Sequence, residues 1–130
     1  MPRFKLSKLV RDKIVDHQIK SGAKPSFRKL DPLEHKQELI NKIIEEAQEI
    51  LHSDSGQVAA EIADVQQALD DLKELCGLTD DEIMAAQKEK NDKNGAFKQG
   101  YFIDHIEIDE KDKWTAYYRE NADRYPEVMP

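Results

Sequence analysis

Four acidic residues, Glu46, Glu49, Glu61 and Asp64, stand at spacings that suit metal-assisted chemistry. They read E-x-x-E, a short interval, then E-x-x-D, so on two successive helices each pair would share a side, one turn apart. At about 100° per residue, with Glu61 as the origin, Val58, Val65, Ala68 and Leu72 all fall within about 60° of it. Glu61 therefore lies inside an apolar stripe, and Asp64 borders it. An unpaired carboxylate in such a place carries a heavy desolvation cost, so it must be protonated, paired with a cation or bound to metal. On the preceding helix, Glu46 borders the apolar arc of Leu39, Ile40, Ile43, Ile44, Ala47, Ile50 and Leu51, Glu49 lies one step out, and Glu45 points toward solvent.

Packed as an antiparallel pair, the two helices would bring Glu46 and Glu49 to face Glu61 and Asp64. Four carboxylates so close repel one another unless divalent cations neutralise them. No Cys or His pair stands at a metal spacing, so oxygen-only ligation is expected, which favours Mg²⁺, with Mn²⁺ as the alternative. Mg²⁺ commonly shares its shell with phosphates, which points to phosphoryl chemistry. Lys88, Lys90, Lys93 and Lys98 surround Asn94-Gly95-Ala96-Phe97, where a glycine turn could bring ammonium and N–H groups to an anion. Against these readings stand plainer ones: Lys42 is placed to pair with Glu38, Glu45 or Glu46 on a solvated face, and the lysines could simply end a helix. His17, His35, His52 and His105 are scattered, and no glycine-rich phosphate or dinucleotide motif appears.

The elements that must position these groups are legible in outline. Leu6, Leu9, Val10, Ile14 and His17 suggest a first helix ending near Ser21-Gly22, followed by a loop over residues 22–29. Asp31-Pro32-Leu33-Glu34 is a capping signal that opens the second helix, which runs to the break at His52-Ser53-Asp54-Ser55-Gly56. The third is predicted over residues 57–76, stopped by Gly77. Thr79-Asp80-Asp81-Glu82 caps a fourth that ends near Asn94-Gly95. Residues 101–108 alternate loosely and could form a short strand or an extended arm, and the tail from Trp114 could hold one more turn of helix. The expectation is an all-α bundle of about four to five helices, with an antiparallel metal-binding pair and a partly irregular C-terminal tail.

Composition sets the outer bounds. A chain of 130 residues suits a single domain spanning 1–130. Its net charge of −7 argues against a general nucleic-acid binder, whose phosphate contacts need a basic surface. No run approaches a membrane span, and the opening residues lack the apolar core of a signal peptide, so a cytoplasmic protein without membrane contact is expected. The lone cysteine, Cys76, falls near the end of an apolar pattern and is expected as a buried, reduced thiol.

Glu45-Glu46-Ala47-Gln48-Glu49 followed by Glu61-Ile62-Ala63-Asp64 resembles the E-E-x-x-E and E-x-x-D signature of the MazG-type all-α NTP pyrophosphohydrolase superfamily. Lys8-Leu9-Val10-Arg11-Asp12-Lys13-Ile14 is similar to the K-L-V-R-D-K-I motif of its phosphoribosyl-ATP pyrophosphohydrolase-like branch, and residues 90–102 resemble that branch's K-x-x-K-R-G-G-F-x-x-G stretch. This chain has Val15, Asn94 and Ala96 where that branch has Pro, Arg and Gly. The resemblance spans about the first hundred residues. It implies a homo-oligomeric bundle, dimer or tetramer, in which Glu46, Glu49, Glu61 and Asp64 hold Mg²⁺ against the phosphates of a nucleotide. It further implies attack by water on the α–β bridge, deprotonation aided by a carboxylate, and release of a monophosphate and pyrophosphate. Lys90, Lys93, Arg11 and Lys13 are then the candidates to contact phosphate. Two alternatives stand beside this enzyme reading: a phosphoribosyl-ATP pyrophosphohydrolase of histidine biosynthesis, and a non-catalytic acidic module that binds a nucleotide or a partner.

Overall fold

A computed structural model describes residues 1–130 as five α-helices with no strand: α1 (Ile14–Lys20), α2 (Pro32–His52), α3 (Val58–Leu75), α4 (Asp80–Asn94) and α5 (Lys113–Glu120). The chain divides into two compact units, Met1–Lys93 and Asn94–Pro130.

In the first unit α2 and α3 form the principal packed pair. The Asp31 carboxylate accepts from the Glu34 N–H at 2.9 Å, and Pro32 occupies the first helical position, where its missing N–H costs nothing. That bond favours the charged carboxylate and holds Asp31 below its ordinary range. Ser53 to Gln57 make the reversal, with the Asp54 carboxylate accepting from the Gly56 N–H at 3.0 Å. α3 stops where Gly77 takes a left-handed φ of 73°, as expected from the sequence. The Thr79 hydroxyl then accepts from the Glu82 N–H at 3.2 Å and starts α4.

The inward side of the pair is narrower than the sequence suggests. Leu39, Ile43, Glu46 and Ile50 lie within about 60° of arc on α2 and form the more protected stripe, with Leu39 only 2% exposed. Ile40, Ile44, Ala47 and Leu51, expected in the same apolar arc, are exposed. One partner helix covers only one stripe of its neighbour, so the outer half of this broad arc has nothing against it. Ala68 on α3 is the other buried apolar residue.

Three further expectations need correction. α1 begins at Ile14, not near Leu6, because the chain before it holds a non-helical backbone that includes a left-handed Ser7, with φ 48°. Cys76 is exposed, since it falls at the C-cap of α3, past the last turn that faces α2. Of the two readings of residues 101–108, a short strand or an extended arm, the strand does not form. No second strand exists to take their hydrogen bonds, and Phe97, Tyr101, Phe102 and Ile103 lie exposed along an irregular stretch.

In the second unit α5 is capped by Asp112, whose carboxylate accepts from the Trp114 N–H. The Thr115 hydroxyl is buried and donates to the Asp109 carbonyl at 2.6 Å. Trp114, Tyr117, Tyr118 and Tyr125 pack ring against ring, the closest pair being Tyr118 and Tyr125 at 5.0 Å between centroids. Arg119 clips this unit together: it donates through two nitrogens to Glu110 at 2.7 Å each and through Nε to Glu127 at 2.9 Å.

Candidate metal centre

Glu46 reaches the inward side of α2 because it follows Leu39 by seven residues and Ile43 by three, two spacings that return to the same helical face. Its side chain is 13% exposed. Glu61 and Asp64 come from the first two turns of α3, just beyond the reversal, so the antiparallel packing sets them opposite Glu46. One carboxylate oxygen from each of Glu46, Glu61 and Asp64 lies within 4.8 Å of the other two.

Electrostatics mark Glu61 as the strained member. Partial burial, foremost, raises its carboxyl above the ordinary range, joined by the close approach of the Glu46 carboxyl, which favours a proton held on Glu61, and by the negative charges of Glu46, Glu49 and Asp64. The other two have cations beside them. Lys42 Nζ stands 3.3 Å from Glu46 and 3.4 Å from Glu45, and Lys8 stands 3.7 Å from Glu45. Arg11 reaches Asp64 at 2.5 Å across 53 residues of sequence. Glu61 is paired with no cation.

The donor set fits a hard divalent ion. All three donors are carboxylate oxygens, and Mg²⁺ holds oxygens at about 2.1 Å, which places opposite ligands roughly 4.2 Å apart.

Of the residues singled out from the sequence, the structure thus brings together Glu46, Glu61, Asp64 and Arg11. Glu49 is exposed and outside the group of three, near enough for its charge to act on Glu61. Lys13, beside the start of α1, and Lys90 and Lys93, on the last turns of α4, are exposed and outside it as well. The contact between Arg11 and Asp64 had no signal in the linear sequence, since ion pairing between segments this far apart follows no periodicity. Compared with protein-family models, curated proteins and solved structures, the chain matches none.

Proposed function

We propose that this chain is a Mg²⁺-dependent nucleotide pyrophosphohydrolase that cleaves the α–β phosphate bridge of a nucleoside triphosphate, non-standard nucleotides included, to a monophosphate and pyrophosphate. The observation that carries this reading is the convergence of Glu46, Glu61 and Asp64 from two helices, with Glu61 half-sheltered and uncompensated. A protein with no use for a cation at that point has little reason to keep three carboxylates together on its best-packed face. The motif resemblance supplies the phosphate-bridge chemistry.

On this reading Glu46, Glu61 and Asp64 would hold a Mg²⁺, which when bound would supply charge neutralisation and Lewis-acid polarisation of a phosphoryl oxygen. Glu49, outside that trio and solvent-exposed, is the carboxylate left to take the proton of the attacking water on one of its oxygens. Arg11, beside Asp64, is the cation at hand for the remaining phosphate charge, and Lys13, Lys90 and Lys93 are further candidates that rest on the motif resemblance. The functional unit is a homo-oligomer, for which the uncovered apolar side of α2 supplies the surface, and a cytoplasmic setting suits the exposed free thiol of Cys76.

The test is pyrophosphate release from a panel of NTPs, dNTPs and phosphoribosyl-ATP, with Mg²⁺ and with EDTA. Release that needs Mg²⁺ and falls by about 100-fold or more in Glu61→Gln is the expected result. Release confined to phosphoribosyl-ATP would assign the chain to histidine biosynthesis. Silence across the panel would leave an acidic binding module.

A further inference from the structure

Arg11 is held in place on both sides. Its carbonyl accepts from the Ile14 N–H at 3.1 Å at the start of α1, and its neighbours Leu9, Val10, Ile14 and Val15 are all partly buried. From that anchored position one guanidinium nitrogen meets Asp64 Oδ1 at 2.5 Å. The contact uses a single nitrogen and leaves the guanidinium more than half exposed, with Asp64 about one-third exposed. A one-point pair open to water is weak and readily exchanged, unlike the two-nitrogen clasp of Arg119 on Glu110. Asp64 is also one of the three carboxylates whose oxygens converge. A guanidinium and a divalent ion therefore compete for the same charge, and the electrostatic demand of the cluster is met in part by the protein's own cation.

We propose that Arg11 is an internal competitor for the metal centre: it holds Asp64 in the metal-free protein, and a divalent ion binds by displacing it. This rests on the metal-centre reading above and adds its regulation. Displacement frees the guanidinium close to the place where an anionic substrate would meet the ion. It also removes the ion pair that ties the segment before α1 to α3. Metal entry, loosening of that segment and exposure of a phosphate-binding cation thus become one event. Lys42, on α2 beside Glu45 and Glu46, also offsets charge at the cluster, but it ties no separate segment to α3.

The alternative role for Arg11 is to orient Asp64 as a ligand, and the two roles predict opposite signs. Mn²⁺ titration of the full-length chain, with free Mn²⁺ followed by electron paramagnetic resonance, reads the difference without any turnover. Displacement predicts that Arg11→Gln binds Mn²⁺ about threefold to tenfold more tightly than the wild type, the range expected for losing a weak competing pair, with Arg11→Lys in between. In hydrogen exchange, Mg²⁺ is expected to raise exchange in residues 8–13 of the wild type and to leave Arg11→Gln unchanged. Equal or weaker Mn²⁺ binding in Arg11→Gln would overturn the proposal while leaving the metal centre standing, provided Glu61→Gln still abolishes binding. No Mn²⁺ binding by the wild type, or binding indifferent to Glu61→Gln, would overturn the metal centre and this proposal with it.

Discussion

Glu61 shows most directly how one misplaced charge can define a site. It occupies the α3 stripe that also carries Val65, Ala68 and Leu72, where a leucine would pack without cost. Its carboxyl is raised above the ordinary range by partial burial and by three acidic neighbours. The consequence for stability follows from proton linkage. A carboxyl that binds protons more tightly when folded makes the folded state gain protons relative to the unfolded chain, so stability falls as pH rises through the interval between the ordinary carboxyl value and the raised one. Above that interval the loss is complete. The metal-free protein is therefore expected to melt at a higher temperature as pH drops into this interval from neutrality. Glu61→Gln, which carries no charge, is expected to melt above the wild type at pH 7 in EDTA and to flatten the dependence there. Thermal melts of both proteins across that range check it, and a lower melting temperature for the glutamine variant at pH 7 would remove the strain argument. Glu61's position was legible because angular position on a helix is arithmetic. The retreat of Glu49 from the cluster and the arrival of Arg11 were not, because both depend on how segments meet in space.

Among the elements, α2 and α3 were readable nearly to the residue because their ends are marked by local chemistry: Asp31 with Pro32, the polar reversal at residues 53–57, and Gly77. α1 was not, since Leu6, Leu9 and Val10 repeat at helical spacing while the left-handed backbone at Ser7, which no periodicity announces, keeps that stretch out of a helix. Side-chain burial on α2 was readable only by half. Periodicity identifies an apolar arc without saying how many neighbours share it. Leu39 and Leu51 both belong to that arc, yet one is 2% and the other 81% exposed. Leu39→Ala is expected to cost about 2–4 kcal/mol, since it deletes a buried side chain from the contact with α3. Leu51→Ala is expected to change the stability of the isolated chain by no more than about 0.5 kcal/mol. Urea denaturation at low protein concentration measures both, and a large cost at Leu51 there would mean that its side chain is covered within a single chain after all.

For the molecule as a whole, the shortage of buried apolar side chains is the dominant physical fact. Leu39 and Ala68 are the buried hydrophobic residues, and the chain leaves 12202 Å² accessible. A self-covered protein of 15.0 kDa leaves about 7,000 Å². Within the first unit, part of the exposed apolar surface is organised. On α2, Leu33, Ile40, Ile44 and Leu51 fall within about 40° of arc on the outward side, and on α3 Ile62 and Leu69 repeat at a seven-residue spacing, all of them exposed. Two helices bearing outward apolar stripes are half of a four-helix arrangement, and in the homo-oligomer proposed above a second copy of the same pair would supply the complementary half by two-fold symmetry. Light scattering coupled to size exclusion is therefore expected to give a mass at least twice that of one chain. Ile44→Glu, which places a charge in the middle of the α2 stripe, is expected to shift the population toward monomer and to lower the melting temperature with it. If the wild type elutes at the mass of one chain and Ile44→Glu is indistinguishable from it, the outward stripe has no partner in solution and the fold must hold on the α2–α3 contact alone. A dimer in the wild type that survives Ile44→Glu would instead place the interface elsewhere.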